Sequence, residues 1–261
     1  MSKNIVFVHG AWMTGLCWEK FVGFFESKGY TCVAPNWPLK DRPVEDLMKN
    51  PDPALGTLGL AEIVDHYDKI IRGMSEPPIL IGHSFGGLFV QMLLDRGLGS
   101  AGVAIDSAPP KGVLPFLYPS VIRATLRITT TFGGWHKIIQ PSFADFQYGF
   151  VNTMPLDEQK ADYDRYVVPE SGRIFFQALA ALMNDLTTVN FNNPNRARLL
   201  LIAGNSDHLC PAPQIKVNFE KYKGSSAKTD FKAFDGRAHW IIAQPGWEEV
   251  AGYIADWLAV K

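Results

Sequence analysis

Apolar residues arrive along this chain in two alternating rhythms. Short unbroken runs such as NIVFV (4–8), PPILI (77–81), AGVAI (101–105) and LLLIAG (199–204) have the length and β-branched content of strands buried on both faces. Between them lie longer amphipathic stretches. In LGLAEIVDHYDKIIRG, Leu60, Ile63, Val64, Tyr67, Ile70 and Ile71 fall on one helical face. CWEKFVGFFESKG, FGGLFVQMLLDRG, PQIKVNFEKYKG and GWEEVAGYIADWLAV also read as helices, YTCVAPNWP and KTDFKAF as further strands. This alternation predicts a parallel sheet with helices on its faces. It breaks twice. Leu39 to Gly56 is a polar, proline-bearing loop, and 109–193 is aromatic-rich, helical and without strands. A helical insertion between two strands of one sheet is most simply a lid over the sheet's C-terminal edge, where open α/β sheets bind ligands. The expected division is a core of 1–108 and 194–261 with the lid at 109–193.

Composition narrows the classes. With 47% hydrophobic and 20% charged residues over 261 positions, the chain carries a sizeable core. A net charge of −1 without basic or acidic blocks argues against nucleic acid as a partner. No stretch approaches the roughly 18 apolar residues of a membrane span. Cys17, Cys32 and Cys210 are scattered, odd in number and lack metal-ligand spacing, so they read as reduced core thiols of a cytoplasmic protein with no metal site.

One motif carries chemistry. GHSFGG (82–87) contains a G-x-S-x-G, which chance alone supplies in roughly one chain in ten of this length. Here it closes a strand and opens a helix, which is the setting of a nucleophile elbow. Such a turn strains the serine backbone and crowds its neighbours, hence the glycines at 82 and 86. Ser84 is therefore the candidate nucleophile, and it needs a base. His9 and His83 belong to turns, His66 to a helix, His136 to the insertion and His208 sits beside an acid. His239, on a loop after the last strand, is the candidate base. A carboxylate must fix its tautomer. Asp207 is preferred because its strand neighbours that of His239 in sequence; Asp106, also at a strand end, is the rival. The developing oxyanion needs two amides, assigned to Phe85, after the nucleophile, and Ala11, in the HGAW turn. Trp12, Trp135, Phe143, Leu209 and Trp240 are the candidates for the substrate-pocket wall. The aromatics of 109–193, Phe116 and Phe150 among them, suggest an apolar one.

With these residues in place the chain resembles the α/β-hydrolase superfamily over almost its full length. The order Ser84, Asp207, His239, with an insertion between nucleophile and acid, matches that family's order. The resemblance implies a mostly parallel sheet of about six strands, beginning at the family's third strand, with the lid inserted after its sixth. VFVHGAWMTGLCWEKFVGFFESKGYTCVAPNWP is similar to the branch of plant methylesterases, hydroxynitrile lyases and small bacterial esterases. APNWPLKDRP departs from the Asp-x-Pro-Gly-x-Gly of many relatives. The lyases carry a lysine after the histidine and a threonine in the first turn, where this chain has Trp240 and Gly10. An aspartate nucleophile, as in epoxide hydrolases, is excluded by Ser84. The implied activity is cleavage of small to medium apolar esters through an acyl-enzyme, without cofactor or metal. The alternatives are a hydroxynitrile lyase or other C–C-cleaving hydrolase, and a small-ligand receptor with little turnover. The expected partner is a small-molecule ester, with a homodimer left open.

Overall fold

The computed structural model describes residues 2–114 and 118–260; Phe116 lies outside the described residues. Six strands form one sheet: β1 (Asn4–Val8), β2 (Thr31–Val33), β3 (Ile79–His83), β4 (Ala101–Ile105), β7 (Leu199–Gly204) and β8 (Thr229–Phe234). Their order is β2-β1-β3-β4-β7-β8 and every pairing is parallel. Every residue of β3, β4 and β7 is buried, which is why these strands are continuous apolar runs rather than alternating ones. Fully burying one such aliphatic side chain stabilises the fold by about 1.5–3 kcal/mol. The edge strands β2 and β8 are less buried and correspondingly more polar.

The core helices are α1 (Glu19–Ser27), α2 (Val44–Lys49), α3 (Leu60–Arg72), α4 (Phe85–Asp95), α9 (Ala212–Lys221) and α10 (Trp247–Ala259). On α3 the stripe Leu60, Ile63, Val64, Tyr67 and Ile71 is buried, with Ile70 at its margin. Helix α4 is buried from Phe85 through Leu94 because it lies against β1, β3 and β4 on one side and α3 on another. Chain order reverses direction between β1 and β3: β2 lies outside β1, and all later strands lie beyond β3. The crevice of an α/β sheet opens at such a reversal, beyond the carboxyl ends of the strands. The HGAW turn leaves β1 there, and Ser84 leaves β3.

Between β4 and β7 run α5 (Pro119–Thr130), α6 (Phe143–Gly149), α7 (Leu156–Tyr166) and α8 (Gly172–Leu179). The stretch is not wholly helical, as the sequence had suggested: β5 (Ile138–Ile139) and β6 (Glu170–Ser171) form a short antiparallel pair. The 39–56 region also differs from a polar loop. It contains α2 and a 3-10 turn at Pro53–Thr57, and Lys40 is fully buried.

Candidate active site

Ser84 sits at φ 58°, ψ −121°, between the last residue of β3 and the first of α4. That backbone is unfavourable for any L side chain. It is held by four hydrogen bonds: the Ser84 N–H donates to the Ile105 carbonyl (3.0 Å), and its own carbonyl accepts from Gly87, Leu88 and Ala108 (3.0, 3.2 and 2.9 Å). The flanking glycines are required by space. A Cβ on Gly82 would stand 2.1 Å from the Gly86 carbonyl oxygen, and one on Gly86 would stand 2.0 Å from that of Val8.

The His239 Nδ1–H donates to Asp207 Oδ2 at 2.6 Å, with both side chains fully enclosed. The other Asp207 oxygen accepts the amides of Leu209 (2.6 Å) and Cys210 (3.0 Å), so the carboxylate is fixed from both sides. This acceptor dictates that Nδ1 carries the proton, which leaves Nε2 as the basic nitrogen. Nε2 is buried and without a hydrogen bond among the described residues. Free active sites often have such loose contacts, which tighten on binding substrate. Two further contacts set the imidazole. His83 Nε2–H donates to the His239 carbonyl at 2.7 Å, and the Phe150 ring meets the His239 ring edge-on at 5.0 Å.

Asp106 also lies close, yet it does not hydrogen-bond to His239. One of its oxygens accepts the Gly204 amide at 2.7 Å, and its backbone is left-handed at φ 41°. Burial, and secondarily the charge of Asp207, pushes its pKa well above the usual carboxylate range. Of the two acids weighed from the sequence, Asp207 is the one joined to His239.

The HGAW turn packs directly on the elbow. A Cβ on Gly10 would come within 2.8 Å of Ser84 Cβ and 3.4 Å of its Oγ. His9 is spent on shaping the turn: its Nδ1–H donates to the Gly10 carbonyl (2.8 Å) and its Nε2 accepts the Trp37 amide (3.0 Å). The amides of Ala11 and Phe85 have no hydrogen-bond partner among the described residues, and both residues line the cavity that opens over Ser84. Phe85 is the first residue of α4, where amides lack helical acceptors and the dipole favours negative charge.

This cavity measures about 730 Å³ including its open mouth. Among the described residues its polar side chains are Ser84, Thr125, Cys210 and the indole of Trp12, and the Thr125 hydroxyl is bonded back to the Val121 carbonyl (2.8 Å). Trp12 and Leu209 belong to its wall; Trp12 stacks on Phe175 with ring centres 4.5 Å apart. The other three wall candidates are placed elsewhere. Trp135 borders a separate surface groove, and Phe143 packs edge-on against Tyr163. Trp240 is buried at a seam with the insertion, its indole donating to Asp162 at 2.7 Å. The wall comes instead from α5 (Val121, Thr125, Ile128) and α8 (Phe175, Ala178, Leu179). Phe150, one of the insertion's aromatics, also lines the cavity, and the amphipathic stripes of α5 and α8 were the further available signal.

As for metals, His83, Asp106 and His239, and separately Asp207, Cys210 and His239, bring ligating atoms within 4.8 Å of one another. A metal held by Asp207 and His239 Nδ1 would displace the 2.6 Å bond between them. No helix among the described residues is long and apolar enough to cross a membrane.

Residues 5–251 match the model of the alpha/beta hydrolase family, and the chain belongs to that family. Among solved structures it is similar to the monoacylglycerol lipase of Paleococcus ferrophilus (24% identity, TM-score 0.68, covering 98% of this chain and 93% of that one). It is also similar to a methylesterase from Arabidopsis (14% identity, TM-score 0.68, 99% of each chain). A third likeness is to a pyrethroid hydrolase from Sphingobium faniae (16% identity, TM-score 0.68, 100% and 98%). No curated protein matches the sequence.

Proposed function

We propose that the protein is a serine esterase acting on neutral, apolar carboxylic esters. The observation that carries the reading is the enclosed Asp207–His239 pair at 2.6 Å, beside a serine strained to φ 58° on the wall of an apolar cavity. In this reading His239 Nε2 takes the Ser84 proton as Oγ attacks the ester carbonyl. Asp207 stabilises the imidazolium and holds its tautomer. The carbonyl oxygen, now an anion, is met by the Ala11 and Phe85 amides, a contribution of about 3–4 kcal/mol per well-placed donor. His239 then returns the proton to the departing alcohol. Water, activated by the same histidine, releases the acid from the acyl-serine. The insertion serves as lid, its α5 and α8 closing the cavity. The solved relatives bearing the names lipase, methylesterase and pyrethroid hydrolase support the same reaction class.

Ser84 sits where Gly10 leaves no room for a threonine, and Trp240 offers no ammonium group to the cavity; both oppose cyanohydrin cleavage. The deciding experiment pairs a p-nitrophenyl butyrate assay with a serine-reactive alkylphosphonate. Hydrolysis should fall at least a thousandfold in Ser84→Ala, survive chelators, and be blocked by one phosphonate on the peptide holding Ser84. Labelling at another residue, or full activity in Ser84→Ala, would sink the proposal.

A further inference from the structure

Lys40 and Glu170 form an ion pair with both side chains wholly buried. Lys40 comes from the segment after β2 and Glu170 from β6 in the insertion, 130 positions apart. Lys40 Nζ also donates to the Met13 carbonyl at 3.2 Å and lies 4.9 Å over the Trp37 ring. Removing two charges from water is costly, and a hydrophobic pair of similar volume is often as stable or more so. Stability alone therefore does not account for this pair.

Its contacts converge on the turn that follows β1. Glu170 Oε2 accepts the Trp12 amide at 3.2 Å while its Oε1 accepts its neighbour's amide, Ser171 N–H, at 2.8 Å. Trp12 has a left-handed backbone, φ 62°, unfavourable for a bulky residue. Every polar atom of Trp12 is tied to the insertion: its carbonyl accepts from Val168 N–H (2.8 Å), and its indole donates to the Ile139 carbonyl (3.1 Å). With the Trp12 amide turned into Glu170, the preceding amide, that of Ala11, is the one left unpaired beside Ser84. A charged acceptor makes a stronger bond than a neutral one, and Lys40 fixes the carboxylate that supplies it.

We infer that Glu170, held in place by Lys40, is a positioning residue for the oxyanion hole: by capturing the Trp12 amide it presents the Ala11 amide to the substrate's developing oxyanion. This rests on the esterase reading. The pair also ties the insertion covalently distant from β1 to the floor of the site, so the hole is assembled only when the insertion is docked.

The test compares two charge-free double variants, Lys40→Met/Glu170→Gln and Lys40→Met/Glu170→Met. Neither buries an unpaired charge, and only the first keeps an oxygen for the Trp12 amide. Against p-nitrophenyl butyrate the Gln pair should stay within about fivefold of the unmodified protein, while the Met pair loses kcat by about ten- to a hundredfold with KM little changed, a fraction of what a deleted hole donor costs. The affinity of an alkyl trifluoromethyl ketone, whose adduct with Ser84 places an oxyanion in the hole, should fall by the same factor. A secondary alcohol of equal chain length, which only fills the cavity, should bind both alike. Equal kcat and equal ketone affinity in the two variants overturn the inference, as do parallel losses of ketone and alcohol binding. A measurement on the unmodified protein needs no variant to fold: the Trp12 amide should resist hydrogen exchange in the free protein, and the Ala11 amide should become protected only in the ketone complex. An Ala11 amide unprotected in that complex also overturns the inference. Should the unmodified protein show no Ser84-dependent hydrolysis, the esterase reading fails, and the inference with it; intact hydrolysis with indistinguishable variants defeats the inference alone.

Discussion

The imidazole of His83 donates from Nε2 to the backbone carbonyl of His239 at 2.7 Å, with the two rings 4.5 Å apart. His83 immediately precedes Ser84, so one side chain joins the elbow to the loop that carries His239. Burial holds its pKa well below the ordinary histidine value, which keeps it neutral and an N–H donor at a defined nitrogen. His83→Ala leaves a buried carbonyl unpaired and the base loop untethered, and kcat should fall about ten- to a hundredfold. His83→Gln, whose amide nitrogen reaches the same position, should recover most of it. Steady-state kinetics on the two variants checks this; equal losses would show that the bond does not set the base.

The acid is assigned by a second comparison. Asp207→Asn keeps the shape of the side chain but favours the wrong histidine tautomer, so kcat should drop at least a hundredfold, toward the loss of about 10⁴ seen for the corresponding change in a serine protease. Asp106→Asn mimics a neutral carboxyl group and preserves an acceptor for the Gly204 amide. It should keep kcat within a few-fold. A crippled Asp106→Asn beside an active Asp207→Asn would reverse the assignment.

The raised pKa of Asp106 makes a separate claim on stability. Above about pH 4 the unfolded chain releases this proton while the folded chain retains it. The unfolded state then binds fewer protons, so the contribution of Asp106 to stability falls as pH rises, until the folded-state pKa is passed. Asp106→Asn removes that dependence. Relative to the unmodified protein, the variant should gain stability as the pH rises from about 4 toward the folded-state pKa of Asp106, read by urea unfolding. A difference that is flat, or that shrinks with pH, contradicts a neutral buried Asp106.

Among the described residues the cavity wall offers no charged partner, and besides Ser84 its one hydroxyl, that of Thr125, is already bonded to the backbone. An ester whose acyl chain ends in a carboxylate would bury that charge unpaired. Its kcat/KM should lie at least a hundredfold below that of the uncharged ester of equal length, with the deficit in both KM and kcat. A panel of p-nitrophenyl alkanoates beside their hemi-dicarboxylate counterparts measures it; comparable rates would place the acyl group outside this cavity.

Much of this protein was legible in its residue order. Unbroken apolar runs gave β1, β3, β4 and β7 because both faces of a central parallel strand are covered, and 3.6-residue stripes gave α3 and α10. Gly82, Ser84 and Gly86 announced the elbow because that turn tolerates no Cβ on either side of the serine, and steric exclusion of this kind is local. Sequence adjacency of strands also pointed from His239 to Asp207.

What local pattern could not decide is which side chains meet across the chain. Lys40 sits in a stretch that reads as a polar, proline-bearing loop, and only its meeting with Glu170 explains its burial. His83 looked like part of a turn until the carbonyl it holds, 156 positions away, was in place. Trp135, Phe143 and Trp240 were chosen for aromatic bulk, but the helices α5 and α8 that lie over Ser84 present Val121, Ile128, Phe175 and Leu179 instead. Periodicity and turn chemistry fix each element's backbone and its apolar face, because those depend on neighbours within a few residues. The partner of a buried charge, and the residues that close a cavity, depend on how the insertion docks against β1 and β3, a long-range packing outcome that only the tertiary structure decides.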